Sequence, residues 1–274
     1  MEPVLVALAA AALIAASPSP SPAPTSTPSA PSDPCGSILS IVTRPTVTTS
    51  VCNVRGGHVL LETGYSNTIT TGQGGGYTAS YPQAFLRIGI SNHTELAITP
   101  PSYNKSSFDG AITSGTSDMN IGAKWELGYN EKAIWGANVV VSAPTGSSAF
   151  TAGHSEYTAN ANWAYTISPI FSAAGTLGFN SLSGLNPDAQ YQNFFAFIPT
   201  VEFTAALPGT SQLFAEYAFF SRVGPAMGGR SLFDFGYQRD FGSHVQFDVE
   251  YGIQPTVIDS QQQHYFGAGL SFMN

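Results

Sequence analysis

Residues 245–254 read Val-Gln-Phe-Asp-Val-Glu-Tyr-Gly-Ile-Gln. Apolar or aromatic side chains occupy every odd position, and polar, charged or glycine residues occupy every even position. Because successive side chains of a β-strand point to opposite faces, this stretch predicts a strand with one apolar and one polar face. The fold then depends on which of the two faces meets water.

The same alternation over about ten residues recurs from residue 58 onwards, and none of the segments shows sustained helical spacing. Twelve segments result, at 58–66, 84–91, 94–99, 118–128, 132–143, 156–168, 170–181, 194–206, 211–222, 231–241, 244–253 and 263–273. The breaks between them alternate between tight turns and longer stretches rich in Gly, Ser, Asn and Pro. This alternation is typical of an up-and-down barrel in an outer membrane, with short periplasmic turns and longer outer loops.

The composition excludes several classes of protein. Charged residues make up only 9% of the chain, against about 25% in ordinary soluble domains. The net charge of −8 argues against a nucleic-acid partner, which requires clustered Lys and Arg. The body of the chain also lacks an apolar run of about 18 residues, so the sequence predicts no transmembrane helix there.

The energetic cost of charge decides the orientation of the two faces. Each Lys or Arg turned towards hydrocarbon would cost about 2–4 kcal/mol at mid-depth, and the sum would exceed the roughly 5–15 kcal/mol that stabilises a domain. A soluble barrel would instead need to fit the Trp, Tyr and Phe side chains inside, where a small barrel has no room. The sequence therefore predicts an all-β, up-and-down transmembrane barrel of about 12 antiparallel strands, formed by residues 58–274 and located in the bacterial outer membrane.

The polar faces supply the candidate pore-lining residues. They are Glu62, Arg87, Glu95, Lys124, Glu126, Glu202, Glu216, Arg222, Asp234, Asp240, Asp248 and Glu250. Rings of charge at such positions select solutes in channels. The alternative is an ion-paired cluster that stiffens a narrow barrel and passes nothing. We expect Arg87 to pair with Glu62 or Glu126.

The N-terminal quarter of the chain has a different organisation. Residues 1–16 have the apolar run of a secretory signal peptide, and residues 17–34 form a Pro/Ser-rich linker. Residues 35–57 are then a periplasmic segment that contains Cys35 and Cys52. We expect a disulfide between these two cysteines because an exported chain enters an oxidising compartment, although two unlinked thiols are the alternative. The sequence leaves open whether this segment lies under the barrel or plugs it.

Several stretches resemble, in order, a bacterial outer-membrane family labelled for a MetA pathway of phenol degradation, or simply "transporter". They are Glu62-Thr63-Gly64-Tyr65, Leu86-Arg87-Ile88-Gly89-Ile90, Ile121-Gly122-Ala123-Lys124, Ala143-Pro144-Thr145-Gly146-Ser147 and Gly267-Ala268-Gly269-Leu270-Ser271-Phe272. The resemblance covers residues 58–272 and implies a membrane-embedded barrel that moves small molecules, aromatic compounds among them. This chain departs from the family at its end, where Met273-Asn274 follows the aromatic Phe272.

These observations predict a channel that passes small solutes, including aromatic or hydrophobic compounds, through a polar and net acidic lumen. The alternatives are a non-conducting structural or surface-binding barrel and an outer-membrane hydrolase. The hydrolase has little support, because the adjacent residues of His154-Ser155-Glu156 cannot assemble a triad, which is built across space. We expect no enzyme activity, catalytic residue, metal or cofactor. The expected partners are outer-membrane lipid, the barrel-insertion machinery and a small-molecule solute.

Overall fold

The computed structural model describes residues 33–72, 74–258 and 261–274. Within these ranges the elements are α1 (Ile38–Ile41), β1 (Val59–Gly72), β2 (Gly76–Tyr81), β3 (Phe85–Ser91), β4 (Thr94–Thr99), β5 (Tyr103–Phe108), β6 (Ala111–Thr116), β7 (Met119–Tyr129), β8 (Ala133–Ala143), β9 (Glu156–Thr166), β10 (Phe171–Leu185), β11 (Tyr191–Leu207), β12 (Ser211–Phe220), β13 (Arg230–Phe241), β14 (Val245–Ile258) and β15 (Gln261–Met273). The predicted signal peptide (1–16) and the predicted linker (17–34) lie outside the described residues, apart from residues 33 and 34 of the linker.

Twelve of the described strands close into an antiparallel barrel, which confirms the predicted fold. The ring consists of β1, β3, β4 and β7 to β15, each paired with its neighbours. It closes between β15 and β1, whose pairing extends from Leu60 opposite Met273 to Gly72 opposite Gln261. Because the barrel is closed, each ring strand has a hydrogen-bonding neighbour on both sides. A structure that spans hydrocarbon needs this, since no water is present to bind free backbone groups.

Strands β2, β5 and β6 lie in stretches that the sequence pattern assigns to long breaks, at 67–83 and 100–117, so that assignment was wrong. The pairing of β2 with β5 and the pairing of β3 with β4 have the same register, as shown by Tyr81 opposite Tyr103 and Leu86 opposite Ile98. β2 and β3 are therefore two parts of one long strand. The interruption falls at Pro82, which has no N–H to donate to the ladder. β2, β5 and β6 extend the barrel wall beyond the ring on its long-loop side.

The two faces of the wall have the predicted orientation. Along β10, Leu177 and Phe179 are exposed on the outer surface at 42% and 47%, whereas Thr176 and Asn180, which flank this pair, are buried. An apolar exterior around a polar interior is the arrangement of a barrel embedded in lipid. No helix in the described part of the chain is long and apolar enough to cross a membrane.

The lipid-facing orientation predicts a cost of charge that depends on depth. Leu177→Arg places a charge at the middle of β10, and we expect a loss of about 2–4 kcal/mol in the free energy of unfolding. The matched variant Leu185→Arg places the same charge at the long-loop end of that strand, where the expected loss is about 0–1 kcal/mol. Urea unfolding in lipid vesicles measures both values, and equal losses would contradict a membrane around β10.

Residues 33–58 fill the barrel at its short-turn end, and we call them the N-terminal plug. Ile38, Ile41 and Val54 of the plug are buried together with Leu60 and Ile134 of the barrel wall. A disulfide joins Cys35 to Cys52 with Cα atoms 5.3 Å apart, so the plug is a covalently closed loop. The segment predicted at 35–57 thus lies inside the barrel and not beneath it.

Candidate functional site

Eleven of the twelve candidate pore-lining residues are buried inside the barrel. They are Glu62, Arg87, Glu95, Lys124, Glu126, Glu202, Glu216, Asp234, Asp240, Asp248 and Glu250. Arg222 is placed differently: β12 ends at Phe220, and the exposed Arg222 lies in the turn that follows. Its Nη2 donates to the carbonyl oxygen of Pro225 at 2.6 Å. The alternating sequence pattern continues beyond the end of β12, and for this reason it placed Arg222 in the lumen. The structure places Arg222 outside it.

One side of the lumen, formed by β1, β3, β4 and β7, is an ion-paired wall. Arg87 is fully buried and lies 3.0 Å from Glu62 Oε1 and 2.8 Å from Glu95 Oε1. Lys124 Nζ is 3.4 Å from the same oxygen of Glu95. Arg87 therefore pairs with Glu62, as expected, but its second carboxylate is that of Glu95 and not of Glu126.

The same two cations hold the plug through its backbone. Arg87 donates to the carbonyl oxygens of Ile41 and Cys52, at 2.5 and 2.8 Å. Lys124 Nζ donates to the carbonyl oxygens of Ser50 and Cys52, at 2.8 and 2.6 Å. Hydrogen bonds to charged groups are about twice as strong as neutral ones. The ion-paired wall thus fixes the plug in the lumen.

Two cations of the plug pair with carboxylates of the barrel, Arg55 on the ion-paired wall and Arg44 on the opposite side of the lumen. The sequence pattern did not identify either. Arg55 Nη1 lies 3.0 Å from Glu126 Oε2, and its Nη2 lies 2.5 Å from Asp33. Arg44 Nη2 lies 3.4 Å from Asp248 Oδ1. Both arginines precede the first alternating segment, so strand periodicity contained no signal for a lumen position.

The opposite side of the lumen, formed by β11 to β14, is an acidic wall. Glu202 lies directly opposite Glu216, which lies directly opposite Asp234, so three carboxylates occupy one row of adjacent strands. Like charges placed opposite each other destabilise a sheet. Among the described residues, no basic group lies within 4.0 Å of these three, of Asp240 or of Glu250. The negative charge of the lumen is therefore concentrated on this wall.

One loop of the plug contacts the acidic row. The backbone N–H groups of Val47 and Thr48 donate to Glu216 at 2.8 and 2.5 Å, and the Thr48 hydroxyl donates to Glu216 Oε1 at 2.6 Å. The same hydroxyl lies 2.6 Å from Thr200 Oγ1. We call this contact between residues 46–48 and Glu216 the latch.

The latch separates two cavities in the lumen. The Glu250 cavity, of about 480 Å³, lies on the long-loop side, and its lining includes Arg44, Glu62, Phe85, Leu232, Glu250 and Tyr265. The Glu202 cavity, of about 460 Å³, lies on the short-turn side, and its lining includes Leu39, Ser50, Asn130, Ala174, Glu202 and Gln238. Thr46 lines both cavities, so only the latch loop separates them at this point.

Comparison with solved structures finds barrels of the same architecture. The crystal structure of an outer membrane channel from Pseudomonas putida F1 is similar with a TM-score of 0.64 and 13% sequence identity, and the match covers 82% of this chain and 98% of that one. The fold is that of an outer-membrane β-barrel. The porin NanC is similar with a TM-score of 0.54 and 8% identity, over 77% of this chain and 98% of that one.

The KdgM porin, solved in complex with disordered oligogalacturonate, has a TM-score of 0.51 and 11% identity, over 77% of this chain and 98% of that one. These three similar proteins are a channel and two porins. No family model and no curated protein matches the chain by sequence. Together with the apolar exterior, the shared fold places the protein in the bacterial outer membrane.

The residues of the hydrolase alternative do not assemble a catalytic arrangement. His154 is exposed, and its Nδ1 lies 3.1 Å from Asn193 Oδ1, an amide oxygen and not a carboxylate. A Ser-His-Asp site requires the imidazole to bridge a hydroxyl and a carboxylate. Within the described ranges there is also no group of three His, Cys, Asp or Glu side chains that could hold a metal ion.

Proposed function

We propose that the protein is a channel for small solutes whose pathway follows the acidic wall of the lumen. The observation that carries the proposal is the pair of cavities, one on each side of the latch, within a barrel of the channel fold. Carboxylates without basic partners line this route, so it favours cations and neutral molecules over anions. The resemblance to a transporter family for aromatic degradation supports small aromatic or hydrophobic compounds as solutes.

In this proposal the latch closes the route and its displacement opens it. The contact surface is small, because residues 46–48 contact the barrel mainly through Glu216 of the acidic row and through Thr200 on β11. The remainder of the plug is held by the buried cations of the ion-paired wall and by Arg44, which contacts Gln83, Gln238 and Asp248. A local movement of the latch loop can therefore connect the two cavities while the rest of the plug stays in place.

Planar-bilayer recording tests the channel. We expect discrete conductance steps with a reversal potential that favours cations, because the unpaired carboxylates set the field along the route. Neutralising two of them in Glu202→Gln/Glu216→Gln should reduce the cation preference several-fold. Asp188→Asn is the matched control: it removes one charge from an exposed loop residue outside the lumen and should leave the preference unchanged. A folded protein that gives no current would refute the channel.

A non-conducting barrel is the second candidate, favoured by the ion-paired wall. A buried network of Arg87, Lys124, Glu62 and Glu95 holds the plug at Ile41, inside its disulfide loop, and at Cys52, where the loop closes. In that case the plug is a permanent part of the structure and the outer loops carry the function. Silent bilayers with correctly folded protein would favour this candidate. Under either candidate we propose outer-membrane lipid and the barrel-insertion machinery as partners, and no enzyme activity.

A further inference from the structure

Building on the proposed channel function, we propose that the Glu250 cavity is a binding site for small organic cations that carry an apolar or aromatic group. Glu250 binds the ammonium group, and Phe85 and Leu232 pack against the apolar or aromatic part of the ligand. The inference rests on three observations: the space made for the Glu250 and Tyr265 side chains, the charges that surround them, and the composition of the cavity wall.

The barrel wall is shaped around the two polar side chains of the site. Glu250 lies opposite Gly267, and Tyr265 lies opposite Gly252, so on neighbouring strands each large side chain faces a glycine. A methyl group at Gly267 would overlap the Glu250 carboxylate, and one at Gly252 would overlap the Tyr265 ring. Both glycines are therefore required for the two side chains to lie flat against the wall and leave the cavity open.

Glu250 is a carboxylate of this cavity that has no basic group within 4.0 Å among the described residues. Glu62 is paired with Arg87 at 3.0 Å. Arg44 is engaged by Asp248 at 3.4 Å and by Gln83 Oε1 at 2.8 Å. By contrast, Glu250 is 7% exposed, lines the cavity and has an Oε2 without a hydrogen-bond partner in the described part of the chain.

A second unpartnered oxygen lies behind Tyr265. The Tyr265 hydroxyl donates to Asp234 Oδ2 at 2.8 Å, while Asp234 Oδ1 has no partner among the described residues. Burying an ionised carboxylate without a cation is costly, and an ammonium group placed beside it removes that cost. Glu250 in the lining, and Asp234 outside the lining behind the Tyr265 hydroxyl, thus favour a positive ligand at this end of the cavity.

The remaining wall indicates what the cation is attached to. Phe85 and Leu232 supply apolar surface to the cavity lining, and a cation near the Tyr265 ring would gain an additional attraction to the ring face. The volume of about 480 Å³ is that of a small-molecule site. In the described ranges the acidic side chains do not converge as metal ligands do. These features fit an arylalkylamine better than a bare metal ion.

The test compares three probes of the same shape by calorimetry on the folded protein in detergent. They are 2-phenylethylamine (cationic), 2-phenylethanol (neutral) and 3-phenylpropionate (anionic). We expect the amine to bind most tightly, and Glu250→Gln to weaken it by about tenfold or more, because a charge-assisted contact is lost. Glu156→Gln is the matched control, since Glu156 lies on β9 outside the cavity lining and should bind the amine like the unmodified protein.

Equal binding of the three probes, or amine binding that Glu250→Gln leaves unchanged, would overturn the site. Tighter binding of the anion would overturn it as well and would assign the cavity to Arg44. The channel is judged separately by bilayer current. Current without Glu250-dependent amine binding refutes the site and keeps the channel, whereas Glu250-dependent binding to a silent protein keeps the site and refutes the channel.

Discussion

Arg87→Met is expected to lower the free energy of unfolding by about 3–5 kcal/mol, the cost of leaving a buried ion pair without one partner. Arg87 is fully buried and is shared by two carboxylates, Glu62 and Glu95. Removing the guanidinium leaves both without their main counter-charge, since Lys124 reaches only Glu95, at 3.4 Å. The plug loses two backbone contacts at the same time, to Ile41 and Cys52.

The measurement is urea unfolding of the folded barrel in detergent micelles. Arg239→Met is the matched control, because Arg239 is exposed on the outer face of β13 and stacks only on Phe241. We expect its effect to stay within about 0.5 kcal/mol. If both variants lost the same stability, Arg87 would not hold the ion-paired wall together.

A rescue variant separates electrostatics from packing. Adding Glu62→Gln to Arg87→Met removes the carboxylate that the single variant leaves without a cation, while Glu95 keeps Lys124 at 3.4 Å. Much of the lost stability should return, because the cost arises from uncompensated buried charge and not from the missing contacts alone. Failure of the rescue would assign the effect to the plug contacts of Arg87.

The alternating sequence pattern predicted the barrel because lipid constrains every outward-facing residue of a membrane-spanning strand. Each ring strand must present apolar side chains to lipid and can keep charge only on the lumen side, so alternation survives along its whole length. In β4, for example, the predicted segment 94–99 coincides with the strand Thr94–Thr99. The twelve-stranded ring and the inward position of Glu95 follow from that constraint.

The alternating pattern could not predict the parts of the chain that do not face lipid on one side and the lumen on the other. β5 (Tyr103–Phe108) and β6 (Ala111–Thr116) extend beyond the ring on the long-loop side, and their sequences are mixed polar on both faces. The plug likewise has no period, because it is surrounded by the lumen on all sides. Which cation pairs with which carboxylate also depends on contacts such as Arg55 with Glu126, which are 71 residues apart. Local sequence cannot specify such a pair.

Reduction of the Cys35–Cys52 disulfide is expected to open the channel. The bridge joins residues 17 positions apart in sequence and closes the plug into a loop. Closing a loop of about 15 residues restricts the released chain by about 3 kcal/mol. The latch residues 46–48 lie within this loop, so a displaced latch gains that freedom when the bridge is absent. The ratio of open to closed channels should then rise by up to about 100-fold.

Single-channel recording with and without a reductant measures this ratio, and thiol labelling verifies that the bridge has been reduced. The double variant Cys35→Ser/Cys52→Ser should show the raised ratio at once and should not respond to the reductant. The contacts of Arg87 and Lys124 with the plug backbone remain in both cases, so the plug still closes part of the time. An open fraction that stays the same after verified reduction would mean that these two cations, and not the covalent loop, keep the plug in the lumen.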